Sequence, residues 1–514
     1  MRLFFAIDFD RLDQQKVDKV ALVGEAGEVH TFQTAQAFAD FLRQLPRGAV
    51  ALCQNGGRAS FYFLLPFFDG RLMIQGGRIC RGYIGECEVR DSWLLAPVDL
   101  RSGLDAVERA KETARIYAIF ADNIGVKMTL AGACLAFFMR QEGLKKRDIF
   151  NNNGQYDAFF RRFFFGGRCE VFRSGEISDL EFYDINSAYS HAMCSSHAWG
   201  LVYAEISEKE IAGTSFVECK GISCGAFPFR ENGEMGKLSY PRDKKTRVYH
   251  VTGWEFLKAR ELGLFDGVVV RAWQHAKTRG FRRYVGHFYD LKKSADREST
   301  EYLAFKLALN SLYGKFAQFP DKYRYYYLAN PQRFKISDKI IEKGIEYQIS
   351  DIMPNGDILS VGELPKEKRE YINVATAASI SGFVRAKMLE VLAKSKGIAY
   401  CDTDSLACEV FAGGTLSEST LGAWKRLGHI KRGAFLGRKL YCLEMEDGTI
   451  KTASKGAYLG VSDFDLIKRN GKALSRGVRP VFNIRNGTQS VVINKEIKAT
   501  CQDVWIEDFY EMYE

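Results

Sequence analysis

The sequence predicts a multi-domain protein of mixed α+β class, and three observations carry that prediction. The chain has 514 residues, and single hydrophobic cores stop growing at about 250–300 residues. Strand-like stretches such as 180–185 alternate with long helical ones such as 300–316 and 374–393, the periods of two and of 3.6 marking each kind. A polar stretch, Asn151-Asn152-Asn153-Gly154-Gln155, follows the basic run Lys145-Lys146-Arg147 and reads as a linker, which places a domain boundary near residue 150.

Hydrophobic residues make up 46% and charged residues 26% of the chain, which excludes a collagen-like or largely disordered protein. The formal charge of +10 and pI of about 8.9 attract polyanions, although a mildly basic protein with no such partner has the same numbers. Twelve cysteines contain no Cys-x-x-Cys pair, so neither a zinc ribbon nor a disulfide framework is suggested. The apolar opening 3–7 stops at Asp8, too short for a signal peptide, and no apolar run reaches membrane length. A reducing, cytoplasmic setting without membrane contact is the expectation.

Before the linker, the apolar segments 3–7 and 49–52 and a helical pattern over 105–139 predict an α/β unit at 1–150. After it, basic and aromatic residues interleave over 277–284 and 431–441. That mixture suits a phosphate backbone with stacked bases and equally suits a solvated face.

Three segments carry candidate chemistry. Phe182-Tyr183-Asp184-Ile185-Asn186-Ser187 predicts a buried strand that delivers Asp184 at its end, followed by a helix capped at Asn186 or Ser187. Asp184 there can hold a cation or serve as a cap. Ile398 to Ala407 is an apolar hairpin around Asp402-Thr403-Asp404, where period two puts both carboxylates on one side. Two ionised carboxylates that close repel and call for a cation such as Mg²⁺, unless the segment is a plain acidic turn. In the helical pattern around 306–314, Lys306, Asn310 and Tyr313 fall on one face. A cation, an amide and an aromatic ring suit a nucleoside triphosphate, and an ordinary wet face would look similar.

The order acidic strand, basic helix, acidic hairpin resembles the three polymerase motifs of the family B DNA polymerases. Asp184-Ile185-Asn186-Ser187-Ala188-Tyr189 is similar to the first, Lys306 to Gly314 to the second and Tyr400-Cys401-Asp402-Thr403-Asp404-Ser405 to the third. Phe164-Phe165-Gly166-Gly167 and Lys439-Leu440-Tyr441 resemble the Tyr-x-Gly-Gly and Lys-x-Tyr motifs of the small protein-primed subgroup found in phages and linear plasmids. The first of these has phenylalanine where tyrosine is usual. The resemblance implies a right-hand polymerase of palm and fingers at 151–470, with an insertion at about 204–290, a thumb-like segment at 471–514, and an RNase H-like exonuclease-type domain at 1–150.

It also implies roles. Asp184 and Asp404, with the carbonyl of Ile185, would hold two Mg²⁺ ions, Mn²⁺ being an acceptable substitute, while Asp402 tunes the site. Lys306, with Lys292 or Lys293, would stabilise the triphosphate. Tyr189 would gate the sugar, Asn310 would bind the incoming nucleotide, and Tyr313 would pack against the nascent base pair. Phe164, Gly166, Gly167, Ser187, Gly314, Thr403, Lys439 and Tyr441 would touch DNA. The implied partners are primer-template DNA, deoxynucleotides and a priming terminal protein, with the enzyme itself a monomer.

The exonuclease motifs are incomplete. Asp8 and Asp10 resemble the first, and Asn55 the start of the second, but the aspartate expected just after Asn55 is missing. Asp69 fits a hairpin turn better than a displaced ligand. The third motif wants tyrosine four residues before aspartate, and Asp122 has Ala118 there. Weak or absent 3′–5′ exonuclease is the expectation, since the ions are the catalyst of such sites. Two other readings stay open: a polymerase that starts chains unaided or adds untemplated nucleotides, and a non-catalytic DNA-binding relative. The second conflicts with the presence of Asp184, Asp404 and Lys306.

Overall fold

The computed structural model describes residues 1–9, 17–58, 60–75, 78–231, 236–320, 324–329, 340–342, 345–352, 358–363, 369–454, 459–483 and 487–499. Asp10 and residues 500–514 lie outside them.

The opening strand Arg2–Phe9 is apolar on consecutive residues because both of its faces are covered. Leu3, Phe5 and Ile7 pack with Phe38 and Leu42 of the helix Ala35–Arg43. Phe4 points the other way, onto Ile116, Tyr117 and Phe120 of the helix Ala106–Asn123. The strand pairs in parallel with Val50–Cys53 and antiparallel with Val17–Gly24. The helical pattern expected over 105–139 is two helices, Ala106–Asn123 and Leu130–Gln141. Gly125, at φ 115°, follows the end of the first, and Thr129 caps the second by accepting from the Gly132 amide at 3.2 Å.

Among the described residues this sheet has eleven strands, and four of them come from 324–363. Arg324–Ala329 pairs antiparallel with Gly70–Gln75, and its Leu328 and Tyr326 join the core cluster of the N-terminal sheet. The 151–155 stretch is structured: Asn151 bridges to Tyr371 and Asn153 caps the helix Gly154–Arg161.

A second sheet orders its strands Ile450–Ser454, Leu440–Met445, Trp424–Gly437, Gly175–Ile185, Ser405–Val410, Lys396–Asp402 and Cys169–Val171. Behind it runs the helix Val374–Lys394, buried nearly all round, as a helix without a polar face must be. Two of its buried hydroxyls are satisfied, Thr376 donating to the Ala198 carbonyl at 2.6 Å and Ser379 sharing a hydrogen bond with His197 at 3.0 Å. A four-stranded sheet takes three of its strands, Asp266–Arg279, Phe216–Ile222 and Arg247–Thr252, from the stretch where the insertion is expected, and its fourth, His197–Ile206, begins ahead of it. A long hairpin, Lys472–Asn483 with Gly487–Lys498, follows the helix Val461–Asn470. No described helix is long and apolar enough to cross a membrane.

Candidate active site

The strand Gly175–Ile185 runs through the middle of the second sheet and carries Asp184 one residue before its end, opposite Ser405 on one side and Lys425 on the other. The hairpin that brings Asp404 to it closes on two residues, Thr403 and Asp404, between the paired Asp402 and Ser405. Asp404 therefore sits in the turn rather than on the strand face that alternation predicts. The Ile185 amide donates to the Asp404 carbonyl at 2.7 Å, which locks turn to strand.

Thr403 adopts φ 60°, a region where a β-branched residue is strained by about 1–3 kcal/mol. Its surroundings hold it there. Its amide donates to the Arg168 carbonyl at 2.6 Å, and its hydroxyl donates to Asp402 at 3.1 Å. Arg168 is itself buried against Glu170. Burial would push the Glu170 carboxyl up, but Arg168 and Arg242 hold it down at about 2. A buried ion pair thus forms the floor of the turn, and no spacing in the sequence pointed to it.

Burial raises Asp184 to about 7, helped by Asp404 and opposed by Lys306 and Lys425. Burial and then Asp402 raise Asp404 to about 6. Asp402 is committed elsewhere, accepting from the Lys439 ammonium at 2.7 and 2.9 Å. Asp184 and Asp404 are therefore a partly buried pair short of positive charge. Their hard oxygen donors fit a divalent cation, with the Ile185 carbonyl beside them in the chain.

The helix Thr300–Phe316 buries Ala304, Phe305, Ala308, Leu309, Leu312 and Phe316 and leaves Lys306, Asn310 and Gly314 exposed. Its Tyr313 ring stacks on Tyr189 at 4.0 Å and 5°. Of the two adjacent lysines, Lys292 is the one brought in: its ammonium donates to Ser187 Oγ at 3.1 Å. Burial and the nearby Lys306 lower its pKa. Its neighbour Lys293 is exposed. One residue is ~100° around a helix, enough to turn a side chain away. Ser187, at φ 51° and heading the short helix Ala188–Met193, makes no capping bond and accepts from Lys292 instead.

Phe165 and Gly166 are pinned by Arg385, which donates to both carbonyls and forks onto Glu255 at 2.7 and 2.9 Å. Gly167 lies so close to Thr403 that a Cβ there would fall 2.5 Å from its side chain, which is why glycine is needed at this approach. Phe164 is half-buried against the core. Tyr441 packs edge-on against Tyr400 at 5.3 Å, and the Tyr400 hydroxyl accepts from the Lys439 amide at 3.1 Å.

The interleaved basic stretches are largely internal ties: Arg279 pairs with Glu142, Arg282 donates to the Cys194 carbonyl and Arg283 to that of Gln141. Lys431 and Arg432 pair with Glu444. In the N-terminal domain Asp69 accepts from the Gly85 amide at 2.8 Å, in a turn as expected. Asp122 is not brought to Asp8. It lies near the end of the helix Ala106–Asn123, whose first turns meet Asp8 through Ala106 and Arg109; at 1.5 Å per residue, Asp122 is about 20 Å further along.

The family profile of "DNA polymerase type B, organellar and viral" matches residues 110–398, more than half of the chain. The DNA-directed DNA polymerase of Enterobacteria phage PRD1 is 29% identical over 464 residues, spanning 84% of this chain and 80% of that protein. A probable DNA polymerase of Agaricus bitorquis is 28% identical over 339 residues, 57% of this chain and 41% of the relative. In fold, the chain is similar to Phi29 DNA polymerase complexed with primer-template DNA and incoming nucleotide substrates, with a TM-score of 0.72 at 15% identity, covering 97% of this chain and 100% of that one.

Proposed function

Because the chain belongs to the type B DNA polymerases, organellar and viral, we propose that Asp184, Asp404, Lys306 and Lys292 form the centre with which it adds deoxynucleotides to a primer on a DNA template. The observation that carries this reading is the meeting of two cation-poor carboxylates with two lysines and the stacked Tyr189 and Tyr313.

Asp184 and Asp404 would hold the divalent cations, Mg²⁺ in the first place. When bound, these supply activation of the primer hydroxyl and neutralise charge on the phosphate under attack. Lys306 and Lys292 bind the triphosphate and stabilise charge as it develops. The Tyr189–Tyr313 stack forms a flat wall against sugar and nascent base pair, closing the space a 2′-hydroxyl would need. Lys439 and Tyr441 orient the primer end, with Asp402 fixing Lys439. Phe165 to Gly167, pinned between Arg385 and Thr403, position the template strand against the acidic turn. The motifs of the small subgroup support a protein hydroxyl as an alternative primer, a terminal protein as partner and a host-cell cytoplasm as the place of action. The exonuclease-like domain is weak or silent.

A 5′-labelled primer on a longer template, incubated with Mg²⁺, tests the reading directly. It should lengthen with deoxynucleotides and stay intact without them. No extension, from either a nucleic-acid primer or a terminal protein, would sink it.

Lys292→Ala is expected to raise KM for the incoming nucleotide by roughly tenfold, the scale of one charge-assisted contact, whereas Lys293→Ala leaves it unchanged. Equal effects in steady-state kinetics would contradict the assignment.

The raised carboxyls also fix a pH dependence. Folded Asp184 and Asp404 hold protons more tightly than the unfolded chain does, so between about pH 4 and 7 their contribution to cation-free stability falls as pH rises. Mg²⁺ should reverse that loss. In thermal melts with chelator, Asp184→Asn/Asp404→Asn should show a shallower decline than wild type. Extension at limiting Mg²⁺ should weaken below about pH 7, with the midpoint moving down as Mg²⁺ is raised, since proton and cation compete for the same oxygens. Identical melting profiles in both proteins would show that the fold does not raise these two carboxyls.

A further inference from the structure

The acidic turn is held from behind by a chain of contacts that begins in the stretch 204–290, where the insertion is expected. Glu170 sits on the strand Cys169–Val171, opposite Cys401 of Lys396–Asp402. Its Oε2 accepts from Arg168 Nε at 2.6 Å, and the Arg168 carbonyl accepts from the Thr403 amide at 2.6 Å. Its Oε1 takes a donor from far along the chain: Arg242 forks onto the carboxylate, at 3.1 Å to Oε1 and 3.3 Å to Oε2. Both guanidiniums lie near the Phe172 ring, Arg168 at 5.9 Å and Arg242 at 5.2 Å, and Arg168 also covers the Tyr240 ring at 4.1 Å. Arg242 is placed by its own loop. The Pro241 carbonyl accepts from the Gly225 amide at 2.7 Å. Gly225, at φ 75°, approaches so closely that a Cβ there would fall 2.8 Å from Arg242 Nε, and glycine suits the position on both counts.

We propose that Arg242 is a positioning residue for Asp404: through Glu170 and Arg168 it keeps the left-handed turn at Thr403 in the arrangement that presents the Asp404 carboxylate beside Asp184. The proposal rests on the polymerase reading of that pair. Arg168 alone would neutralise Glu170, so charge balance does not call for a second guanidinium. Geometry does. The Arg168 and Glu170 side chains are 1% and 8% exposed, and a carboxylate buried that deeply needs donors on both oxygens. Without Arg242 the pair has to shift to find another donor, and Arg168 cannot shift without pulling on the Thr403 amide that its carbonyl holds. Thr403 sits at φ 60°, a strained conformation that lasts only while its surroundings over-determine it. Asp404 is the next residue, so a displacement of the turn passes directly to a cation ligand. Groups that orient such ligands change cation affinity by about 10- to 100-fold when removed.

Arg242→Met and Arg242→Lys in the full chain test the proposal, at a temperature well below their melting midpoints. In Arg242→Met the Mg²⁺ concentration for half-maximal primer extension should rise by roughly tenfold. KM for the deoxynucleotide at saturating Mg²⁺ and metal-free DNA binding should stay as in wild type. Mn²⁺ binding to the protein alone, read from the free-ion signal in electron paramagnetic resonance, should weaken by a similar factor. Arg242→Lys keeps the charge but not the fork, so it should lie between the two, and it decides the question if Arg242→Met does not fold. A lower melting midpoint with unchanged Mg²⁺ and Mn²⁺ requirements would overturn the proposal and leave Arg242 a structural brace. Weaker metal-free DNA binding with an unchanged Mg²⁺ requirement would overturn it too, by making Arg242 a DNA contact. If wild type does not extend the primer, the polymerase reading fails; equal Mn²⁺ binding by wild type and Arg242→Met is what ends the role of Arg242.

Discussion

Asp404→Asn is expected to abolish primer extension, by about 10³-fold or more in kcat/KM, while DNA binding without Mg²⁺ stays close to wild type. The loss corresponds to about 4 kcal/mol of transition-state stabilisation, a reasonable share for half of a two-carboxylate cation site. Binding should persist because phosphate contacts supply most of the affinity for DNA and Asp404 offers none. Stability should move the other way. Burial and the neighbouring Asp402 raise Asp404, and Asp404 in turn raises Asp184, so removing its charge relieves the cation-free fold above about pH 6. Lost extension with unchanged or improved melting is the signature of a catalytic carboxylate. Lost extension with lost structure would place Asp404 among the folding residues, and retained extension would end the assignment.

Arg385→Met should be the most damaging single change to stability among those considered. Both side chains of the Arg385–Glu255 pair are 2% exposed. Removing the cation strands a buried carboxylate at a cost of about 3–5 kcal/mol and also deprives the Phe165 and Gly166 carbonyls of their donor. Glu255 has a second task, closing the start of the helix Gly253–Glu261 by accepting from the Thr252 amide at 3.1 Å and hydroxyl at 2.8 Å. The double change Arg385→Met/Glu255→Gln keeps a cap and removes the stranded charge, so it should recover part of the loss in urea unfolding. Extension should stay low even in the recovered protein, because Phe165 to Gly167 would no longer be held against Thr403. If Arg385→Met melts like wild type, the pair is not the clasp described here.

Much of the candidate centre was legible in the sequence because its signals are local. The apolar run into Asp184 marked a strand, the apolar arms around Asp402-Thr403-Asp404 marked a hairpin, and the 300–316 period marked the helix whose wet face carries Lys306 and Asn310. Those residue types are what the chemistry requires, and each lies within a few positions of the element that presents it. The incomplete exonuclease motif was legible for the same reason: a missing aspartate after Asn55 is a local fact.

Tertiary structure decided the rest. Adjacent Lys292 and Lys293 read alike until packing of the helix Arg282–Ser294 turned one toward Ser187. Arg385 found Glu255 at 130 residues' separation, and Arg109 found Asp8 at 101. The strand Arg324–Ala329 crossed the expected division of the chain to extend the N-terminal sheet. A period repeats along the sequence because a helix or strand presents one face at regular steps, so it can be read without a partner. A buried ion pair or a sheet edge is completed by a surface from another part of the chain. Closing the loop between them costs entropy that grows only slowly with its length, so spacing says little about which surfaces meet. That choice is made by the burial and the satisfied hydrogen bonds of the assembled fold.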